Sequence, residues 1–144
     1  MLEFYNLLKK YDGKSVLNIK ELKVPNGQSF GLVGNNGAGK TTMMNLILDL
    51  IKPTGGYVLN NGIRVDQSED WKFNTSAYLD ESFLIGYLMP EEYFNMLGEL
   101  RNWNTNKVND FLKDFEELFN GEILGVKKYI RDLSKGNQKK VGVV

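Results

Sequence analysis

An eight-residue stretch in the first third of the chain brings together three glycines, a lysine and a threonine. It reads Gly34-Asn35-Asn36-Gly37-Ala38-Gly39-Lys40-Thr41 and fits the pattern G-x-x-x-x-G-K-[ST]. Glycines let backbone N–H groups approach phosphate oxygens without a Cβ in the way, and the N-terminus of a following helix favours an anion. Lys40 would meet the outer phosphates and the Thr41 hydroxyl would ligate Mg²⁺. The pattern predicts a site for the phosphate chain of a nucleotide; a glycine-rich turn with an incidental lysine is the alternative.

Such a loop needs a strand before it and a helix after it. Residues 29–33 are a short apolar run, which predicts a buried strand leading into the glycines. Residues 41–51 carry apolar side chains on most faces and predict a largely buried helix, which Pro53 and the following glycines stop.

Turn signals divide the rest of the first half into hairpins. Strand-like stretches around residues 2–8 and 16–24 flank a predicted turn at residues 11–14. Asn60-Asn61-Gly62, between two short apolar runs, predicts a second β-hairpin.

The second half of the chain changes from strand patterns to helical ones. Residues 66–74 predict a loop or short helix, and residues 76–79 another short strand. Pro90 begins one predicted helix, and Asn104 or Thr105 caps a second whose apolar face runs to Phe119.

Composition excludes several classes of site. Lys plus Arg and Asp plus Glu both number 18, so no overall charge favours nucleic acid or an acidic membrane. The chain has no Cys and no His, which excludes disulfides, thiolate metal sites and histidine bases. Because no apolar run approaches about 20 residues, we expect a soluble, intracellular protein whose membrane partner is a separate polypeptide.

The stretch from Val33 to Thr42 resembles the glycine loop of the ATP-binding cassette (ABC) ATPases, with Asn35 in place of the usual proline. Tyr11, which lies 23 positions before Gly34, matches an aromatic residue that stacks on adenine in that family. Taken without the resemblance, Tyr11 is interpreted as a turn or packing residue.

A second segment, Leu133-Ser134-Lys135-Gly136-Asn137-Gln138, resembles the family signature usually written Leu-Ser-Gly-Gly-Gln. Lys135 and Asn137 depart from that form. In its Lys the segment resembles the Leu-Ser-x-Gly variants of ABC exporters that carry drugs, bacteriocins or polysaccharides. The resemblance implies that Ser134 opens a helix whose N-terminus faces the γ-phosphate held by an opposite subunit. An ordinary helix cap is the alternative.

A third segment departs more from the family. Residues 76–81 resemble the stretch that carries the family's Q-loop glutamine, and Glu81 stands at that position. Two roles stay open for Glu81, namely contact with Mg²⁺ or the attacking water, and a solvated loop acid.

The resemblance implies an α/β P-loop NTPase of ABC type. An antiparallel β-subdomain and the start of the core would take residues 1–88, a helical subdomain 89–133, and the signature with the start of its helix 134–144. Lys40 and Glu81 would have catalytic roles, and Thr41 and Glu81 would bind Mg²⁺. The implied nucleotide contacts are Tyr11, Gly34, Asn35, Asn36, Gly37, Ala38, Gly39, Lys40, Thr41, Thr42, Ser134, Lys135, Gly136 and Asn137.

Several family elements have no counterpart in these 144 residues: the Walker-B strand with its Mg²⁺-binding Asp, the catalytic Glu after it, and the switch His. The RecA-like core would therefore be incomplete. We expect a single truncated ABC domain. It would be either a fragment of a longer protein or a chain that associates with another to cover its unpaired strand edges.

The implied function is ATP hydrolysis, with ATP and Mg²⁺ as ligands, that drives a separate transmembrane permease subunit. Two full-length copies, identical or different, would sandwich the nucleotides at the inner face of the cell membrane, and no nucleic acid is expected. The 144 residues alone would bind nucleotide without turnover. A soluble ABC-family ATPase acting on ribosomes or DNA is the alternative, although neither a second cassette nor a long coiled coil is present. Neither the transported substrate nor its direction follows from the sequence.

Overall fold

The computed structural model describes residues 1–144, and their contacts divide the chain into two units, Met1–Thr75 and Ser76–Val144. The three-part division expected from the family resemblance stays a prediction. Each unit is built around its own core.

The first unit begins with a long hairpin of β1 (Leu2–Tyr11) and β2 (Lys14–Val24), which pair antiparallel. The turn is formed by Asp12 and Gly13, both with positive φ (49° and 77°), as a tight turn of matching twist requires. The predicted hairpin is confirmed, with longer strands than the apolar pattern alone indicated.

The sheet is completed by β3 (Gly55–Asn60) and β4 (Ile63–Arg64), and its strand order is β2-β1-β3-β4. Asn61 and Gly62 turn between β3 and β4 with φ of 50° and 80°, which confirms the second predicted hairpin. Helix α1 (Lys40–Ile47) packs its apolar face with this sheet.

Helix α1 ends four residues earlier than predicted. Asp49 adopts φ of 52°, and the N–H of Leu50 donates to the carbonyl of Asn45 at 2.8 Å. The N–H of Asp49 donates to the carbonyl of Leu46 at 3.3 Å. This pair of bonds is a Schellman motif, so a left-handed Asp ends the helix before Pro53 is reached.

Buried apolar residues from the sheet, from α1 and from the segment after β4 form the first core. They are Phe4, Leu7, Met43, Leu46, Ile47, Val58, Val65 and Trp71. A 3₁₀ turn, Asp70–Asn74, places Trp71 so that its indole N–H donates to the carbonyl of Val65 at 3.2 Å. This turn agrees with the loop or short helix predicted there.

Two predicted strands are absent. Residues 29–33 form no strand, and Phe30 and Val33 are exposed, Val33 by 94%. Residues 76–79 also form none. A strand needs a neighbour to satisfy its N–H and C=O groups, and the one sheet of the structure contains neither segment. Apolar composition was therefore not enough to produce the predicted strands.

The second unit is helical, with α2 (Pro90–Leu100), α3 (Thr105–Lys113), α4 (Glu116–Phe119) and α5 (Lys135–Val143). Pro90 begins α2, as predicted. Asn104 caps α3 by accepting from the N–H of Lys107 at 2.9 Å. The helix predicted to run to Phe119 is broken between α3 and α4.

The second core gathers residues from α2 to α5 and from the segments between them. They are Phe94, Val108, Leu112, Phe119, Ile123, Ile130, Leu133 and Val141. None of the helices has both the length and the apolar character needed to cross a bilayer.

Candidate nucleotide-binding site

The glycine loop lies in the first unit as an exposed, irregular segment that turns directly into α1. Gly37 and Gly39 both adopt φ of 84°, a backbone region that side chains strongly disfavour. The N–H of Ala38 donates to the carbonyl of Asn35 at 3.1 Å, which closes the turn. The helix that was predicted to follow the glycine loop is therefore present.

The N-terminus of α1 is open at this loop. Gly39 is its N-cap and provides no side chain, so no side-chain hydrogen bond satisfies the first N–H groups of the helix. Unpaired N–H groups and the positive end of the helix dipole attract an anion.

Gly39 also lies close against the sheet. The pairing of β1 with β2 shifts between Lys9–Leu17 and Lys10–Ser15, so Val16 is an extra residue in β2, a β-bulge. A Cβ added to Gly39 would lie 2.7 Å from the carbonyl oxygen of Val16. Only glycine fits this approach.

Lys40 provides the cation of the loop. Its ammonium donates to the carbonyl oxygens of Gly34, at 2.5 Å, and Asn35, at 2.8 Å. The side chain therefore reaches back over the loop that precedes its own helix. Thr41 is exposed in the first turn of α1, and Thr42 is half-buried.

The Thr41 hydroxyl is the type of hard oxygen donor that Mg²⁺ prefers. No group of three acidic, His or Cys side chains gathers anywhere in the chain. The residues present thus fit a Mg²⁺ ion held partly by phosphate oxygens, with Thr41 as a protein ligand.

Tyr11 ends β1 beside the first turn, in the same unit as the glycine loop. Its ring is 46% exposed, and the Lys9 ammonium lies 4.8 Å from the ring centroid. A half-exposed aromatic face can stack on a planar base. Its adenine-stacking role stays a prediction.

Glu81 belongs to the second unit and begins a 3₁₀ turn, Glu81–Phe83, that Asp80 caps by accepting from the N–H of Ser82 at 2.7 Å. The Ser82 side chain and backbone lower the pKa of Asp80 below its ordinary value. The carboxylate of Glu81 lies 3.9 Å from the ammonium of Lys139 on α5. Glu81 is therefore a partly shielded acid with a cation beside it.

The signature-like segment also lies in the second unit. Ser134 is the N-cap of α5, and its hydroxyl accepts from the N–H of Asn137 at 3.2 Å. Lys135 and Gly136 are exposed in the first turn. The predicted helix start is confirmed; the contact of Ser134, Lys135, Gly136 and Asn137 with nucleotide stays a prediction.

Sequence reasoning missed the part played by Gln138. This residue is buried, and its amide N–H groups donate to the carbonyls of Arg131 at 3.1 Å and Leu133 at 3.0 Å. Its amide oxygen accepts from Lys135 at 3.3 Å. Gln138 thus fixes the segment before α5 to its first turn. From the sequence, Gln138 had a place in the signature-like segment but no assigned structural part.

The predicted site residues therefore fall into two sets. The first unit holds Tyr11 and the loop from Gly34 to Thr42; the second holds Glu81 and the segment from Ser134 to Asn137.

A glycine loop that opens on a helix N-terminus is the arrangement that holds nucleotide phosphates in P-loop proteins. The family model described as ABC transporter matches residues 17–144. The chain belongs to the ABC transporter family, and its ATP-binding-domain fold is the one expected from the sequence.

Individual relatives agree with this assignment. The chain is 29% identical over 145 residues to the ABC transporter ATP-binding protein YtrB of Bacillus subtilis (strain 168), covering 100% of this chain and 47% of that protein. It is 46% identical over 161 aligned positions to the methionine import ATP-binding protein MetN 2 of Pseudomonas entomophila (strain L48), covering 99% and 45%.

A solved structure of the ATP binding subunit of an ABC transporter superimposes with a TM-score of 0.80 at 25% identity, covering 99% of this chain and 59% of that one. The chain spans less than half the length of YtrB and MetN 2.

Proposed function

We propose that residues 1–144 are part of the ATP-binding subunit of an ABC transporter, which couples ATP binding and hydrolysis to movement of a substrate through a separate membrane subunit. The observation that carries the proposal is the uncapped N-terminus of α1 behind Gly39, with the Lys40 ammonium held over the same loop.

The first unit would bind the nucleotide. Backbone N–H groups between Gly34 and Thr42 would hold the phosphate chain, and Lys40 would exchange loop carbonyls for β- and γ-phosphate oxygens. Thr41 would ligate Mg²⁺, which when bound neutralises charge that develops on the phosphates. Tyr11 would stack on adenine.

The second unit would act on nucleotide in two ways. In a nucleotide sandwich between two subunits, the first turn of α5, from Ser134 to Asn137, would face the γ-phosphate held by the other subunit. Glu81 would contact Mg²⁺ or the attacking water. Hydrolysis would be in-line attack on the γ-phosphate, with catalysis by positioning and charge neutralisation.

Nucleotide binding is tested by following the amides of residues 34–42 in the 144-residue chain during titration with Mg-ATP. Lys40→Ala should weaken binding at least about tenfold, a loss of about 1.4 kcal/mol. Lys20→Ala, which removes an exposed lysine of β2 in the same unit, is the control and should have no effect.

The base contact is tested at Tyr11. Tyr11→Ala should weaken ATP binding about three- to tenfold, whereas Tyr11→Phe keeps the ring and should bind as the unsubstituted chain does. No amide response between Gly34 and Thr42, in this chain and in a longer natural chain that contains it, would refute the assignment.

Turnover is tested by phosphate release. We propose that the 144 residues bind nucleotide without hydrolysing it, and that a longer chain supplying the remaining cassette elements hydrolyses it. If the 144 residues released phosphate from ATP and Lys40→Ala abolished that release, the proposal that these residues bind nucleotide without hydrolysing it would be wrong.

The partner is tested by purification from membranes. Recovery with a polytopic membrane protein supports a peripheral location at the inner face of the membrane, whereas recovery with ribosomes or DNA supports the soluble alternative. The finer proposal of an exporter-like branch rests on Lys135 and Glu81. Energy-dependent uptake of the substrate, as the name of MetN 2 implies for that protein, would overturn it.

A further inference from the structure

Two contacts, one helical turn apart, join the segment that carries Glu81 to α5. Gly142 faces the ring of Tyr78, and Lys139 faces the carboxylate of Glu81. Lys139 and Gly142 are three residues apart, so they lie on the same side of α5. All four residues belong to the second unit.

The first contact depends on a missing side chain. A Cβ added to Gly142 would overlap the Tyr78 ring, lying 2.5 Å from Cδ2 and 3.0 Å from Cζ, and closer still to Cε2. The Tyr78 hydroxyl oxygen is shielded from solvent and has no hydrogen-bond partner. The ring is therefore held by shape and not by polar bonds.

The second contact is electrostatic. The Lys139 ammonium lies 3.9 Å from the Glu81 carboxylate, whose side chain is 26% exposed. Burial, with the nearby Glu81 and Asp80 carboxylates, raises the pKa of Tyr78 above its ordinary value, in agreement with a ring seated against this segment.

We infer that Tyr78 is a positioning residue that, seated against Gly142 and supported by the Glu81–Lys139 pair, makes residues 78–83 and α5 move as one piece. Ser134 and Gly142 are eight residues apart, which is about 12 Å along a helix. A displacement of Glu81 would thus be carried to the capped end at Ser134. The functional meaning of this coupling rests on the proposed function.

Hydrogen exchange of the 144-residue chain without nucleotide tests the contact. Ala is the better helix former, so Gly142→Ala in open space would slow exchange of α5 amides. Because of the overlap with Tyr78, we expect it to speed exchange about tenfold in residues 135–143 and 79–83. Gly136→Ala, in the same helix, is the control: its Cβ would meet nothing closer than 3.9 Å.

Rescue distinguishes the contact from general destabilisation. In the Tyr78→Ala background, Gly142→Ala should no longer speed exchange, and Tyr78→Phe should exchange as the unsubstituted chain does because only an unpartnered hydroxyl is lost. Amides of α2 and α3 should exchange unchanged in every variant. Faster exchange there as well, or additive effects of the two substitutions, would overturn the inference.

The ion pair gives a second test, which begins from the exposed member of the pair, Lys139. Lys139→Glu should speed exchange in residues 79–83, and adding Glu81→Lys should restore it. If the effects of Lys139→Glu and Glu81→Lys on exchange were additive, the inference that the Glu81–Lys139 pair supports the contact would be wrong. These measurements need no nucleotide, so their failure is distinguishable from failure of ATP binding, which only the amides of residues 34–42 report.

Discussion

Gly39 of the glycine loop lies directly against the carbonyl oxygen of Val16, the bulged residue of β2. The bulge leaves Val16 without a partner residue in β1, and the absence of a side chain at Gly39 lets α1 begin beside the Val16 carbonyl. The position of the predicted phosphate site is thus set by a strand irregularity more than 20 residues earlier in the chain.

Gly39→Ala should destabilise the first unit by about 3 kcal/mol or more, because it combines a left-handed backbone with overlap on Val16. Urea unfolding followed by Trp71 emission, in a Trp103→Phe background, measures this. Gly37→Ala has the same φ of 84° but open space around its Cβ, and should cost only roughly 1–2 kcal/mol. Equal losses in the two variants would contradict the steric argument.

Gly56→Ala should prevent normal pairing of β1 with β3. Gly56 has φ of 71°, and a Cβ there would overlap the carbonyl oxygens of Tyr5 and Asn6. We expect a loss of about 3 kcal/mol or more in the same Trp71 assay. Gly62→Ala, with φ of 80° and nothing within 4 Å, should lose only the roughly 1–2 kcal/mol of backbone strain.

Acid should weaken the first unit partly through Asp66. Its hydrogen bond from the Arg64 guanidinium, 2.8 Å at the closer nitrogen, lowers the pKa of Asp66. A lowered folded-state pKa gives stability above the unfolded value of about 4, which is lost as pH falls through the folded value. Asp66→Asn should therefore lower the urea midpoint at neutral pH and flatten its fall between about pH 5 and 2.

The control for this acid effect is Asp110→Asn. Asp110 is paired with Lys113 at 2.8 Å, but both side chains are largely exposed. An exposed pair contributes about 0–1 kcal/mol, so little change is expected. A pH profile that is the same in Asp66→Asn and in the unsubstituted chain would be evidence against this role of Asp66.

Gln138→Met should loosen the start of α5, because it removes both donors to the carbonyls of Arg131 and Leu133. We expect a local loss of about 2–3 kcal/mol, seen as faster amide exchange in residues 133–138. Gln67→Met, at an exposed glutamine of the first unit, should leave that exchange unchanged.

The elements that sequence predicted well are those fixed by local chemistry. Asp12-Gly13 and Asn61-Gly62 require positive φ in tight turns, and both form hairpins. Asn104 and Ser134 have side chains that can cap helices, and both do. Pattern G-x-x-x-x-G-K-[ST] likewise led into a helix.

The elements that failed depend on distant partners. Residues 29–33 have the composition of a strand, but a ladder requires a second strand that no local pattern can supply. Two other misses are local. The early end of α1 comes from a left-handed Asp49 and its Schellman hydrogen bonds, and Gln138 bonds to residues only three to seven positions before it, but apolar periodicity reports neither. No sequence pattern signalled the bulge at Val16.

The ammonium of Lys40 spans its own loop, from the helix it begins to the carbonyls of Gly34 and Asn35. Lys40 therefore has a structural role in addition to its charge, because its two hydrogen bonds hold the glycine loop to the first turn of α1. A loss of nucleotide affinity in Lys40→Ala would therefore combine two effects. The phosphates would lose an attractive positive charge, and the glycine loop would lose the hydrogen bonds that connect it to α1.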